Sequence, residues 1–336
     1  MPIHDPPSTI HVVCRLALAA ALAMTAAASQ ALDIQGHRGA RGLAPENTLP
    51  AFARALAIGV TTLEMDCAVT RDGVVVVSHD PALNPDITRG PDGKWLEQAG
   101  PAIRSLTYVD LRQYDVGRLN PSRPYAQRWP EQRAVDGTRI PRLADVFALV
   151  RKSGNETVRF NIETKISPLT SNETTGPEDF ARKLISAVRS AGMAERTAIQ
   201  SFDWRTLAVV QKEAPEIATV YLTVEKGFMD NVGAERGGSP WTAGHRIRDH
   251  GSVPRLVKAA GGAVWSPYYA EITREQVREA QSLGLKVVPW TANEPADMRR
   301  LIEWSVDGII SDYPDRLRRV AGEMGLALPP ATPISK

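Results

Sequence analysis

Cysteine is nearly absent from this chain: among 336 residues only Cys14 and Cys67 occur. Cys14 lies in an N-terminal stretch read below as removable, so the remaining Cys67 has no partner for an internal disulfide even in an oxidising compartment. Cys67 is expected to face outward from its strand and pack under a helix. Charge bias is missing too: 40 Lys and Arg stand against 38 Asp and Glu, a balance that argues against a nucleic-acid partner. Internal repeats, low-complexity linkers and heptads are absent, and no basic amphipathic helix or aromatic cluster suggests a bilayer-docking surface. Apolar runs are short except for Leu16 to Ala28. That run follows Arg15, ends before Ser29-Gln30-Ala31, and falls below the ~20 residues of a comfortable membrane span. Residues 1–31 are therefore expected to be a secretory signal peptide, with an uncleaved anchor as the alternative and a periplasmic or secreted location as the consequence. Cys14 precedes the run, where a lipoprotein cysteine would not sit.

The 43% hydrophobic content is ample for a sizeable core. Strand-like runs end near His37, Asp66, Glu163, Ser201, Leu222, Ser266, Trp290 and Ile310. Helical patterns such as Phe180 to Ser190, Trp204 to Glu213, Arg274 to Ser282 and Pro295 to Trp304 alternate with them. Eight such units fit a closed parallel α/β barrel of the TIM type, spanning 32–320, whose chemistry belongs at the C-terminal strand ends. A doubly wound open sheet would want a glycine-rich phosphate loop entering the first helix, and none is present. Residues 81–141, a long irregular stretch, are expected to form an inserted subdomain after the second strand, and Glu225 to Gly251 is a second irregular stretch in which Phe228 and Trp241 are candidates for a rim. The proline-rich tail within 321–336 is expected to be disordered.

Candidate chemistry begins at His37. Leu32 to Gly36 reads as a short strand, Gly39 and Gly42 permit a sharp turn, and Asn47 or Thr48 caps a helix carried by Leu49, Phe52, Ala53 and Leu56. An imidazole and the guanidiniums of Arg38 and Arg41 thus meet at a strand end, a combination suited to binding and cleaving a phosphate. Strand alternation then puts Thr62, Glu64 and Asp66 on one face, and Asn161, Glu163 and Lys165 on one face of another strand. Three carboxylates brought close repel unless a cation sits between them, and oxygen-only ligands favour one hard divalent ion, Ca²⁺ or Mg²⁺. The run Val74 to Val77 ends in Ser78-His79-Asp80-Pro81, a short hairpin beyond Glu64 and Asp66 with Arg71-Asp72-Gly73 as its turn. Cleavage of a phosphodiester needs one group to activate the nucleophile and one to protonate the leaving oxygen, and His37 and His79 can share those roles.

The segments HRGARGLAPENTLPAF, LEMDCAVTRDGVVVVSHDP, FNIETK, QSF, VPWTAN and VDGIISDYP run in order from Gly36 to Pro314. Together they resemble the glycerophosphodiester phosphodiesterase family. The resemblance implies metal-dependent hydrolysis of small glycerophosphodiesters to sn-glycerol 3-phosphate and an alcohol, by way of a cyclic phosphate. It implies Glu64, Asp66 and Glu163 as metal ligands, His37 and His79 as acid and base, Arg38 and Lys165 as phosphate-binding cations, and Trp290 at the substrate end. It also implies that 81–141 covers the barrel mouth, which favours His79 as the acid and His37 as the base. One departure is Pro289, which cannot donate to a sheet ladder and predicts a bulge or strand end before Trp290. Two alternatives are a related barrel enzyme acting on intact phospholipid and a secreted protein that binds phosphodiesters without cleaving them. Preferred headgroup, choice between the two ions and oligomeric state are left open.

Overall fold

The computed structural model describes residues 1, 31–170, 172–226, 229–233 and 238–334. The expected signal peptide falls almost wholly on 2–30 and, like Phe228, lies outside the described residues. From Leu32 onward the chain forms one compact unit. Its strands are β1 (Asp33–Gly36), β2 (Thr62–Val69), β3 (Val75–Val77), β4 (Arg159–Thr164), β5 (Thr197–Ser201), β6 (Ala218–Thr223), β7 (Val264–Pro267), β8 (Lys286–Val287) and β9 (Gly308–Ser311). The first helices are α1 (Leu49–Ile58), α2 (Tyr108–Leu111), α3 (Pro124–Gln127), α4 (Leu143–Lys152) and α5 (Pro177–Ser190). They are followed by α6 (Trp204–Glu213), α7 (Val253–Ala259), α8 (Arg274–Ser282), α9 (Pro295–Glu303) and α10 (Pro314–Glu323).

Eight parallel strands lie in the order β8-β7-β6-β5-β4-β2-β1-β9, with β3 antiparallel on β2. The ends of this series meet, because Asp307 N donates to Val287 O at 2.9 Å and Ile310 N to Pro289 O at 3.0 Å. The result is a nearly closed TIM barrel. Pro289 shapes that seam: lacking an N–H, it cuts β8 to two residues, while its carbonyl still accepts from β9. The strand expected to reach Trp290 therefore stops early, and Trp290 rejoins the sheet through a lone bridge to Tyr268.

Local chemistry sets the helix ends. The Thr48 hydroxyl accepts from Ala51 N, Gly59 closes α1 at φ +88, and Thr273 with Gln276 forms a reciprocal cap on α8. Pro177, Pro295 and Pro314 open α5, α9 and α10, where the missing N–H costs nothing. The apolar faces of the helices bury the main core against the outer face of the barrel, as where Phe147 of α4 meets Phe160 of β4 edge-on at 4.9 Å. Cys67 is buried in that layer. Within 81–141, Leu83, Ile103, Leu111, Val116 and Ile140 gather with Ala68 of β2 and Val76 of β3 in a small apolar cluster. The C-terminal tail departs from the expected disorder as far as it is described. Thr332 N donates to Leu56 O at 2.9 Å, Arg318 Nη1 to Pro329 O at 2.6 Å and Asn155 Nδ2 to Thr332 Oγ1 at 2.9 Å, so backbone and side-chain bonds hold it on α1, α10 and the turn after α4.

Register positions the barrel interior. Glu64 pairs laterally with Asn161, Asp66 with Glu163, and Glu163 with Gln200. Inward-facing side chains therefore stack as polar rows where many barrels place aliphatic layers. Asn161 Nδ2 donates to Gln35 Oε1 at 3.0 Å and to Gln200 Oε1 at 2.9 Å, and Gln200 Nε2 donates to Glu64 Oε1 at 2.6 Å. This amide chain carries order from the barrel floor up to the first acid.

Candidate active site

At the C-terminal strand ends opens a cavity of about 450 Å³, lined among others by His37, Arg38, Glu64, Asp66, His79, Glu163, Lys165 and Trp290. All eight residues singled out in the sequence thus face one space. The turn after β1 is glycine-dependent. A Cβ on Gly36 would lie 2.1 Å from Gly39 O, and one on Gly39, at φ +84, would lie 2.7 Å from the backbone of Ala51. This packing draws the chain tight enough to leave Arg38 at φ +50, a left-handed conformation costing a side chain roughly 1 kcal/mol. Surrounding bonds hold it there: Arg38 N donates to Glu64 Oε2 at 2.8 Å, Nη1 to Glu46 Oε1 at 2.6 Å, and Nε lies 3.2 Å from Asp66 Oδ2.

His37 is backed by a carboxylate. Its Nδ1 lies 2.6 Å from Asp312 Oδ1, which leaves Nε2 on the side of Glu64, 3.9 Å from Oε2. A carboxylate only accepts, so the neutral ring carries its proton on Nδ1 and keeps the Nε2 lone pair. Arg41 grips both oxygens of Asp312, at 2.7 and 3.1 Å, and Asn293 Nδ2 donates to Oδ2 at 2.7 Å. Burial is the main influence on His37 and, with Arg41 and Arg38 nearby, outweighs Asp312, taking the ring down to about 4. His79 repeats the arrangement from the other side. Its Nδ1 lies 2.9 Å from Asp80 Oδ1, whose second oxygen accepts from Asn84 Nδ2 at 2.6 Å. Burial, then Arg38 and Lys165, depress this imidazole as well.

The acids stand at the cavity floor. Glu64, Asp66 and Glu163 each present an oxygen within 4.8 Å of the others, and all three are buried. Burial raises Glu64 well above the usual carboxylate range, with Asp66 and Glu163 adding to it. Burial likewise lifts Glu163 to about 7, with Asp66 adding to it against the opposing pull of Lys165. Burial also works against charge on Asp66, yet Arg38, His79, Lys165 and His37 hold it well below the ordinary value. Lys165 Nζ lies 2.9 Å from Glu163 Oε1 and 3.9 Å from Asp66 Oδ1. The lining also has an apolar part: Phe202 meets the Trp290 ring edge-on at 5.3 Å, Trp290 Nε1 donates to Ser266 O at 2.9 Å, and Trp241, Leu222, Met229 and Ile166 also line the cavity.

Sequence reasoning passed over several residues that shape the site. Asn47, read as one of two capping candidates, leaves the cap to Thr48 and instead clasps Asp66: its Nδ2 donates to Oδ2 at 2.9 Å and its Oδ1 accepts Asp66 N at 3.2 Å. Gln200, Glu46 and Asp312 were likewise unassigned, and Arg41, read as a phosphate-binding cation, instead grips Asp312. The signal for Gln200 and Asp312 was their position, inward on β5 and directly after β9, where barrel chemistry collects.

Comparison with known proteins agrees with this geometry. A family model described as the glycerophosphoryl diester phosphodiesterase family matches residues 37–316. A glycerophosphodiester phosphodiesterase of Caldanaerobacter subterraneus subsp. tengcongensis is 30% identical over 281 residues, covering 84% of this chain and 94% of that protein. One of Bacillus subtilis is 29% identical over 292 residues, covering 84% of each. A solved structure from Silicibacter pomeroyi, carrying the same family designation, matches with a TM-score of 0.78 and 37% identity over 89% of this chain and 95% of its own. An Oleispira antarctica phosphodiesterase, solved with its product sn-glycerol-3-phosphate, shares the fold at a TM-score of 0.63 and 21% identity, over 86% and 96%.

Proposed function

The chain belongs to the glycerophosphoryl diester phosphodiesterase family, and from that premise we propose that it hydrolyses glycerophosphodiesters to sn-glycerol 3-phosphate and a free alcohol, with one Ca²⁺ or Mg²⁺ ion and two histidines as proton carriers. The observation that carries this reading is the convergence, in one cavity, of two imidazoles each tied at Nδ1 to a carboxylate, the cations Arg38 and Lys165, and three clustered acids. The product held by the Oleispira antarctica protein supports the choice of substrate.

The donor set suits a hard divalent ion. Glu64, Asp66 and Glu163 offer oxygen only, and Asp66 Oδ1 is buried without a hydrogen-bond partner, an orphan that a cation would satisfy. Bound there, such an ion supplies positive charge to the non-bridging oxygens of the phosphate. The protein's own groups do the rest. Arg38 and Lys165 offset the negative charge that grows on the phosphoryl oxygens. His37, neutral and with its Nε2 lone pair free, takes the proton of the glycerol hydroxyl beside the phosphate as that oxygen attacks phosphorus. His79, in the form that carries a proton on both ring nitrogens, gives the Nε2 proton to the departing alcohol, and the histidines exchange roles when water opens the cyclic phosphate. Phe202 and Trp290 form a wall against which the carbon skeleton of the substrate can lie.

The reaction is proposed to take place in the periplasm or outside the cell, with residues 1–31 as the signal; fractionation of cells expressing the full chain tests that assignment. For the chemistry, a panel of glycerophosphodiesters is assayed for sn-glycerol 3-phosphate release after metal stripping and re-addition of each ion. Absence of release from every member, or full release in excess chelator, contradicts the substrate class or the metal respectively.

A further inference from the structure

One hydroxyl from the irregular stretch after His79 reaches both halves of the phosphate end. Tyr125, on α3, donates through its OH to Glu46 Oε2, while Arg41 Nη1 donates to the same hydroxyl at 3.3 Å. Glu46 is buried, and its other oxygen accepts Arg38 Nη1 at 2.6 Å. Arg41 in turn grips Asp312, the partner of His37, and its guanidinium lies 4.3 Å from the centre of the Trp129 ring. Tyr125 itself meets Trp129 edge-on at 6.0 Å, and Trp129 packs against Tyr313 at 6.3 Å. The stretch is thus anchored at this point by aromatic contacts as well as by the hydroxyl.

Arg38 needs this support. Its backbone is left-handed, its Nε has no hydrogen-bond partner although it faces Asp66, and a long side chain has several rotamers to choose among. Glu46 is the one carboxylate that takes a direct hydrogen bond from its guanidinium among the described residues, so whatever orients Glu46 orients Arg38. We infer that Tyr125 and Glu46 are positioning residues: the tyrosine hydroxyl fixes the Glu46 carboxylate, which holds the Arg38 guanidinium in the plane where it meets the phosphate of the substrate. The stretch 81–141 thereby acts on the Arg38 side of the site through the Tyr125 hydroxyl. The inference rests on the proposed role of Arg38 in binding phosphate.

A double-mutant cycle on kcat/KM separates positioning from bulk stability, because a residue that acts through Arg38 loses its effect once Arg38 is altered. Tyr125→Phe keeps the ring against Trp129 and removes only the hydroxyl. It is expected to lower kcat/KM for a glycerophosphodiester about tenfold in the native background, equivalent to about 1.4 kcal/mol, and less than twofold in an Arg38→Lys background. Glu46→Gln, which keeps an acceptor for Tyr125 but withdraws the charge from Arg38, should show the same dependence on background. Equal factors in both backgrounds overturn the inference, as does unchanged kcat/KM in Tyr125→Phe. Full activity of Arg38→Lys by itself removes instead the reading of Arg38 as the phosphate clamp, the premise on which the inference stands.

Discussion

Replacing Asp312 by asparagine keeps the size of the side chain, removes its charge and confronts it with more donors than it can accept. In the native site both carboxylate oxygens only accept. Oδ1 takes Arg41 Nε at 2.7 Å and lies 2.6 Å from His37 Nδ1, and Oδ2 takes Arg41 Nη2 at 3.1 Å and Asn293 Nδ2 at 2.7 Å. An asparagine has one amide nitrogen, and it must face one of these two pairs. Turned toward His37, it forces the ring to accept at Nδ1 and carry its proton on Nε2, so the nitrogen facing the cavity can no longer act as a base. Turned the other way, it meets Arg41 and Asn293 donor to donor inside the protein. In both cases the half-buried Arg41 guanidinium loses the charge of its carboxylate partner. Asp312→Asn should therefore lower kcat/KM by about 10²–10⁴-fold, the range for a positioned proton carrier. It should also reduce stability by about 2–4 kcal/mol, toward the cost of removing one partner of a buried pair. The stability loss has a pH signature. Burial opposes charge on Asp312, but Arg41 and His37 hold its carboxylate well below the ordinary range. A depressed carboxylate contributes stability that is complete above the unfolded value, about 3.9, and that fades as pH falls toward the folded one. Initial rates of sn-glycerol 3-phosphate release, with urea melts at neutral pH and near pH 3.5, test both parts. Activity within threefold of the native protein, or a stability gap that widens on acidification, would refute the reasoning.

His37→Ala and His79→Ala should each cut turnover by about 10²–10⁴-fold, and a nitrophenyl phosphodiester, whose leaving group needs no proton, should restore most of the rate to His79→Ala alone; equal rescue of both would defeat the division into base and acid. Chelation should abolish activity, and the melting temperature of the stripped protein should climb with added Ca²⁺ or Mg²⁺ as ligand binding stabilises the folded state; a melt indifferent to both ions speaks against the three-acid site. Glu163→Gln removes one of three crowded carboxylates and leaves the others in place, so the stripped variant should melt no lower than the stripped native protein while losing the response to metal. Trp290→Ala deletes the ring that packs on Phe202 at 5.3 Å; it should raise KM about tenfold with a smaller change in kcat, and an effect confined to kcat would place the ring against the reacting atoms.

Much of this molecule is determined locally. Strand alternation alone puts Glu64 with Asp66 and Asn161 with Glu163, because successive side chains leave a strand on opposite faces. Helix boundaries follow from prolines and caps: α6 and α8 run over the residues their apolar period marks, and α5 begins at Pro177, ahead of the pattern, because a proline fits the first turn. The ordered motifs identify the family, and Pro289 announces the short β8. Long-range pairing is another matter. Alternation does not say that Asp66 lies beside Glu163 and Glu163 beside Gln200; the register between β2, β4 and β5 does. Asp312 stands 275 residues from His37 and reaches it only because the last strand closes against the first. Tyr125 meets Glu46 across 79 residues of chain. The tail, with a composition that suggests disorder, is ordered by α1 and α10, whose backbone and side chains satisfy its polar groups. A residue's face is a property of its own backbone, whereas its partner is a property of which strands the barrel makes neighbours, and only the closed barrel decides that.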